Sequence, residues 1–263
     1  MKKKILITGG AGLIGSILIK KLGSKFDFSS LDIKKVKGLK SHVANLSDLD
    51  NILPAFEDID TVIHLAADRS AEAPWNSVLK NNLIGTYNVF EAAKRLNCQR
   101  VIFASSNHAS GGFYNLNPWK HIFKGKFNKL KKNSYPLIDE SYRIRPDGYY
   151  GVGKAYGESI GSYYSDYHGI SSMNLRIGWV ISDDDPTFSP FALSLWLSHN
   201  DAAQIFKLCI EAKNSMKYGI FYATSDNDWK MFSIEKAKKI LGFEPKDNAG
   251  SKFINRSPPK RDQ

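Results

Sequence analysis

Tyr150 and Lys154 stand four positions apart in Tyr150-Gly151-Val152-Gly153-Lys154, a spacing that puts a phenol and an ammonium on one face of a helix. A free tyrosine has a pKa of about 10 and is a poor base at neutral pH, but a neighbouring cation favours the phenolate, each tenfold gain in acidity being worth about 1.4 kcal/mol. Tuned in this way, Tyr150 can take a proton from a hydroxyl while hydride leaves the carbon that bears it. A second reactive group closes the run Val101-Ile102-Phe103-Ala104-Ser105-Ser106-Asn107-His108, where an apolar strand passes into small polar residues. Ser106 at that edge can hydrogen-bond the reacting oxygen and stabilise its changing charge. Ser106 and His108 also suit a hydrolytic triad, but no Gly-x-Ser-x-Gly elbow surrounds the serine, which disfavours that chemistry. His64 lies among Val62, Ile63 and Leu65 and reads as a packed core histidine.

Other residues are suited to holding a ligand. Thr8-Gly9-Gly10-Ala11-Gly12-Leu13-Ile14-Gly15 follows the apolar run Ile5-Leu6-Ile7 and opens Ile17-Leu18-Ile19, so it is the turn from a first strand into a first helix. Gly9 permits the turn, Gly12 lets main-chain amides approach a pyrophosphate, and Gly15 lets the helix pack on the strand. The helix N-terminus adds oriented N–H groups and partial positive charge. A second strand, within Phe26 to Ile33, ends in Asp32. A carboxylate there accepts hydrogen bonds from ribose hydroxyls and repels the extra phosphate of NADP, so the residues favour NAD. Lys34 and Lys35 just beyond are the cations that a 2′-phosphate would need.

These groups must be positioned by the elements between them. Short apolar runs alternate with segments of helical period, the pattern of stacked βαβ units. Strands are expected at Ile5 to Thr8, Phe28 to Asp32, Ser41 to Ala44, Thr61 to Leu65, Arg100 to Ser105 and Ser171 to Ile177. Helices are expected near Leu13 to Leu22, Leu49 to Phe56, Trp75 to Leu96, Tyr149 to Tyr167, Asn200 to Ala212 and Ser233 to Leu241. The fold class is α/β, a Rossmann-type doubly wound parallel sheet, with ligands outside the C-terminal strand ends. Residues 1–177 form the dinucleotide-binding domain, with a lysine-rich insertion at about 113–140. Residues 178–249 form a small substrate lobe, and 250–263 a disordered tail.

The chain has 263 residues, 42% of them hydrophobic, enough for a large core, and no run approaching the roughly 20 apolar residues that cross a bilayer. Cys98 and Cys209 are too few and too separated for a disulfide framework or thiolate metal site, which suits a reduced, cytoplasmic protein without metal. The net charge of +11 raises the question of an anionic partner. Much of it lies in Lys120, Lys124, Lys126, Lys129, Lys131 and Lys132, which read as a solvated surface insertion rather than a flap over an acidic substrate; no base-reading pattern points to nucleic acid. Asp183-Asp184-Asp185 reads as a solvated loop, since adjacent side chains diverge.

Taken together, the glycine turn, the Ser106 strand end and the Tyr150/Lys154 helix resemble the short-chain dehydrogenase/reductase superfamily, in its extended NAD-dependent epimerase/dehydratase branch, over about residues 4 to 250. The resemblance implies that Gly9, Gly12, Leu13, Ile14 and Gly15 cradle pyrophosphate and that Asp32 holds ribose. It further implies that Asn45 and Leu46 flank adenine, that Leu65, Ala66, Ala67 and Asn82 line the cofactor, and that Ser106, Tyr150 and Lys154 form the catalytic set. Asn45 stands where the family usually has aspartate. Within the branch the chain resembles uronate dehydrogenases in Ala104-Ser105-Ser106-Asn107-His108, in Arg145-Pro146-Asp147-Gly148, in Arg176-Ile177-Gly178, in Leu193-Ser194-Leu195-Trp196-Leu197-Ser198-His199 and in Gly242 to Ala249. That likeness implies a free sugar or sugar acid as substrate, met by Ser70, Ser106, Asn107 and His108, and a homo-oligomer. Two departures bear on substrate: Phe191 replaces the arginine that those enzymes use for a carboxylate, and Trp179 replaces a small residue. A nucleotide-sugar epimerase or dehydratase and a non-catalytic NAD sensor are the alternatives.

Overall fold

The computed structural model describes residues 2–250; the tail expected to be disordered lies, apart from Gly250, outside the described residues. Seven strands make one parallel sheet in the order β3-β2-β1-β4-β5-β6-β7. They are β1 (Lys4–Thr8), β2 (Asp27–Asp32), β3 (Lys40–Val43), β4 (Thr61–His64), β5 (Arg100–Ser106), β6 (Ser171–Ile177) and β7 (Tyr218–Ala223). Parallel strands covered on both faces read as unbroken runs, and every residue of β5 and β6 is buried.

The helices are α1 (Leu13–Leu22), α2 (Leu49–Ile52), α3 (Trp75–Ser77), α4 (Gly85–Arg95), α5 (Trp119–Phe123), α6 (Tyr149–His168), α7 (Pro190–Leu195), α8 (His199–Glu211) and α9 (Glu235–Leu241). The single helix expected from Trp75 to Leu96 is interrupted: Val78–Ile84 winds as a π-helix between α3 and α4. The helix expected from Leu49 to Phe56 tightens to 3-10 geometry at Leu53–Phe56, where Pro54 follows the start and removes an N–H donor. α6 ends at Gly169, whose φ of +71° suits the left-handed cap.

β7 was not foreseen, because Tyr218-Gly219-Ile220-Phe221-Tyr222-Ala223 carries a glycine and three aromatics rather than an aliphatic run. It pairs in parallel with β6, and α8 packs under α1 within the core formed by Ile5, Ile7, Phe206, Phe221 and Phe243. Residues beyond Ile177 thus extend the same sheet and core. Arg100, 2% exposed, ties the two: its guanidinium donates to the carbonyls of Cys209 and Ile210, each at 3.0 Å, at the C-terminal end of α8.

The lysine-rich insertion is packed rather than merely solvated. Phe113, Tyr114, Trp119 and Ile122 share a cluster with Ile138, Leu195, Tyr222, Met231 and Phe232. The Trp119 indole donates to the Pro136 carbonyl at 2.8 Å, and Phe127 stacks on Trp229. Lys124, Lys126, Lys129, Lys131 and Lys132 remain exposed on its outer side. In the aspartate run, Asp184 accepts from the Trp196 indole and the His199 amide, each at 3.1 Å, and so fastens its loop to the start of α8.

Candidate active site

The C-terminal ends of β1, β2, β4 and β5 bring the sequence-derived groups to one edge. At β1, Gly9 has φ +75°, and a Cβ there would lie 2.8 Å from the Ala66 nitrogen, so only glycine lets the turn pass against the segment that continues β4. That segment contains Leu65, Ala66 and Ala67, all half-buried. A Cβ on Gly15 would lie 2.7 Å from the Gly9 carbonyl, so α1 could not start so close to the turn. Gly12 caps α1 with no side-chain hydrogen bond and no acidic residue in the first turn, which leaves the first-turn amides of Leu13, Ile14 and Gly15 for an anion. The Asp32 carboxylate is held beside them, accepting from the amides of Ala11 at 2.9 Å and Lys34 at 3.0 Å. The cradle fits a dinucleotide: amide donors for the pyrophosphate, a fixed carboxylate for a ribose diol.

The reactive side chains meet where α6 begins. A Cβ at Gly151 would lie 2.3 Å from the His108 carbonyl, so the first turn of α6 approaches the end of β5 through a glycine. Lys154 is 5% exposed; its ammonium donates to the Ala104 carbonyl at 2.7 Å and lies 5.5 Å from the Tyr150 ring centre. Burial lowers its pKa to about 8. Ser106 hydrogen-bonds Tyr150, donates to Asn107 Oδ1 at 3.2 Å and accepts from the His108 amide at 3.2 Å. The expected depression of the phenol is not what the protein alone produces. Burial raises the Tyr150 pKa, the Ser106 hydrogen bond pulls it back, and the carboxylates of Asp147 and Asp68 push it up. Lys154 is engaged by a backbone carbonyl, and the further positive charge needed to favour phenolate has to come from elsewhere.

His108 faces Tyr150 edge-on with ring centres 5.5 Å apart, and its Nδ1 lies 2.9 Å from the Asp147 carboxylate. The Asn107 side chain, 4% exposed, donates to the Tyr114 hydroxyl. Asn82 is 2% exposed and committed to the backbone of Asp68, accepting from its amide at 2.8 Å and donating to its carbonyl at 3.0 Å. It thereby fixes the loop after β4. Ser70, exposed on that loop, accepts from the Glu72 amide at 3.2 Å. Asn45 is exposed and closes a turn with Ser47, while Leu46 is buried against α4, its carbonyl accepting from Asn88 at 2.7 Å. His64 is the core residue expected: it sits between the hydroxyls of Thr8 and Thr86 at 2.8 and 3.0 Å, and burial lowers its pKa to about 3.

Sequence reasoning missed the buried strut behind this set. Arg176 and Glu158, 2% and 1% exposed, pair through two contacts of 2.8 Å, and Ser105 donates to the same carboxylate at 2.5 Å. Burial opposes the charge on Arg176, and the hydrogen bonds and charge of Glu158 more than restore it. Tyr222 and Ser110 complete the network. Tyr150, Lys154 and Glu158 follow one another at intervals of four on α6, so the signal was present as a third member of the same helical face.

A family model described as the NAD dependent epimerase/dehydratase family matches residues 5–195. An NAD-dependent glucose-6-phosphate dehydrogenase of Haloferax volcanii is 35% identical over 95% of this chain and 95% of its own length. An L-arabinose 1-dehydrogenase (NAD(P)(+)) of the same organism is 33% identical over 94% of this chain and 98% of its own. Among solved structures, a uronate dehydrogenase from Agrobacterium tumefaciens superposes with a TM-score of 0.80 at 27% identity, over 99% of this chain and 91% of that one.

Proposed function

The chain belongs to the NAD-dependent epimerase/dehydratase family, and from that premise we propose that it is an NAD-dependent dehydrogenase oxidising one hydroxyl of a free sugar or sugar acid. The observation that carries this reading is the meeting of Tyr150, Ser106 and Lys154 at the strand edge that also holds the glycine cradle and Asp32. The amides of Leu13, Ile14 and Gly15 would take the pyrophosphate, Asp32 the adenosine ribose, and Ala66 and Ala67 the cofactor's flank. Bound NAD supplies the hydride acceptor and a positive ring charge. Ser106 would orient the substrate oxygen and Tyr150 would take its proton, the cofactor's ring charge adding to that of Lys154 in favouring the phenolate, while the remaining N–H donors of Lys154 would meet the nicotinamide ribose. His108, held by Asp147, and Ser70 address further hydroxyls. The segment around α7, which brings Phe188 and Phe191 beside Trp179, would form part of the substrate rim.

A second copy of the chain is the expected partner. Trp75, Leu79, Tyr87, Tyr149, Val152, Tyr163 and Tyr167 are exposed apolar residues on the adjoining helices α3, α4 and α6 and the turn between them. No helix among the described residues is long and apolar enough to cross a membrane.

The test is Tyr150→Phe assayed for NADH formation and, separately, for NAD binding. Turnover should fall at least about 10³-fold while binding persists, since one proton acceptor is removed and the cradle is untouched. Retained turnover refutes the role. Sugar interconversion without net NADH, by protein that copurifies with tightly held NAD, would replace the dehydrogenase by the epimerase reading; NAD binding without any turnover would leave the sensor.

A further inference from the structure

One wall of the site is aromatic and continuous from the catalytic phenol to solvent. Tyr150 meets His108, which stands edge-on to Tyr114 with centres 6.3 Å apart. Tyr114 packs against Phe191 at 5.0 Å, Phe191 against Trp179 at 6.2 Å, and Trp179 against Phe188 at 5.3 Å. The sheet register fixes where this wall stands: Ile177 is the pairing partner of Ser106, so Trp179 lies two residues past it, at the same edge as the catalytic set. The inner members are packed in the insertion's cluster, whereas Trp179 and Phe188 are 39% and 53% exposed. Two large rings left in water beside a reaction centre are a surface waiting for an apolar face.

The charges around the same centre are mostly committed. Lys154 donates to the Ala104 carbonyl, Arg176 is paired with Glu158, and the Arg145 guanidinium lies over the Phe113 ring at 5.4 Å. His108 is held by Asp147. The Asp147 and Asp68 carboxylates also face this centre and push the Tyr150 pKa up, although the chain carries +11 overall. A carboxylate or phosphate on the substrate would need a free cation and would meet two carboxylates instead. Arg69, on the loop after β4, and Arg143, ahead of α6, are the exposed cations that an anionic substrate would have to recruit.

We infer that the substrate is a neutral aldose whose C–H face stacks on Trp179 and Phe188 while its hydroxyls meet His108 and Ser106, and that uronates and sugar phosphates are discriminated against. Ring faces carry partial negative charge and sugar C–H groups partial positive charge, so stacking holds the ring without ionic contacts. The inference rests on the dehydrogenase reading above and specifies its substrate.

The experiment is NADH formation by the full chain with L-arabinose, D-xylose, D-glucose and D-galactose against D-glucuronate, D-galacturonate and D-glucose 6-phosphate. The best neutral aldose should exceed the best anion at least tenfold in kcat/KM. Trp179→Ala should raise KM for that aldose about tenfold with kcat little changed, and Phe188→Ala less, as expected for lost stacking that does not touch the reacting atoms. Trp179→Arg, at a site open enough to accept it, should shift the ratio toward uronates by at least tenfold. Melting temperatures of all three check that the fold survives. An anion as best substrate overturns the inference and leaves the dehydrogenase standing, whichever cation holds it. An unchanged KM in Trp179→Ala also overturns it. No NADH from any sugar removes the dehydrogenase reading and this inference with it.

Discussion

The glycine-turn half of the molecule, β1 to β4, is shaped by backbone. Gly9 passes within a Cβ's reach of Ala66, Gly12 leaves α1 uncapped, and Asp32 is tied to the amides of Ala11 and Lys34. The opposite half is shaped by side chains drawn from three distant segments. Tyr114 and Phe123 come from the insertion, Trp179 and Phe191 from beyond β6, and Tyr222 and Phe232 from β7 and the chain after it. A backbone cradle tolerates few substitutions and suits a ligand that does not vary. A side-chain wall can be repainted residue by residue, which suits a substrate that does. Inside that second half stands the Arg176–Glu158 strut, which locks the helix bearing Tyr150 and Lys154 to β5 and β6.

The strut offers the sharpest break. Arg176→Leu leaves the Glu158 carboxylate, 1% exposed, without its cation and should destabilise by about 3–5 kcal/mol in urea unfolding. Replacing both partners by apolar residues, Glu158→Leu with Arg176→Met, should recover most of that loss, because an absent pair is tolerated better than half of one. If the double variant were as unstable as the single, the contribution would come from shape rather than charge, and α6 would be held to β5 and β6 by packing alone.

The acid response separates the halves next. His64, at the end of β4, has its pKa lowered by burial from 6.5 to about 3. The unfolded chain therefore binds the proton first, and the stability present above pH 6.5 is lost as pH falls below it, at about 1.4 kcal/mol for each tenfold rise in proton activity. Between pH 6.5 and 4.5 that amounts to about 2–3 kcal/mol from this one group. Urea midpoints of the wild type should fall more steeply over that range than those of His64→Asn. Parallel slopes would mean that other groups govern acid unfolding.

Gly9→Ala tests whether the cradle is as intolerant as its geometry implies. Forcing a side chain into left-handed backbone costs roughly 1–2 kcal/mol, and the methyl would press on the Ala66 nitrogen. NAD affinity, measured by calorimetry, should fall at least tenfold, a larger relative loss than the change in stability. Undiminished affinity would mean that the turn relaxes without consequence.

What could be read in advance follows the same division. The convergence of the glycine turn, Asp32, Ser106 and Tyr150/Lys154 on one sheet edge was legible because each owes its position to local sequence: a strand end, a turn torsion, a helical spacing. The six expected strands are present, with shifts of at most one residue at each end. β7 escaped because its strand character comes from pairing with β6 and not from its own aliphatic content. Asn82 and Asn107 carry amides that look free in sequence and are spent on Asp68 and Tyr114 in three dimensions. The insertion was legible in its lysines and not in its aromatics, since Trp119 and Phe127 acquire meaning only against Pro136 and Trp229.

That last contrast gives the smallest expected effect. If the insertion is held by its rings, its outward charges should be nearly dispensable, as exposed ion pairs contribute about 0–1 kcal/mol. Changing Lys124, Lys126, Lys129 and Lys131 together to Gln should shift the urea midpoint little and leave KM for a neutral aldose unchanged. Lys132 is kept because it pairs with Asp228 at 2.8 Å. Its side chain and that of Asp228 are 47% and 35% exposed, so even that pair should add little. Deleting residues 119–132 should by contrast strip Tyr114 and Phe191 of Phe123 and loosen the wall beside Tyr150, raising KM. A raised KM in the glutamine variant would return the lysines to the site as the flap that the sequence also allowed, and would make this half of the molecule electrostatic rather than aromatic.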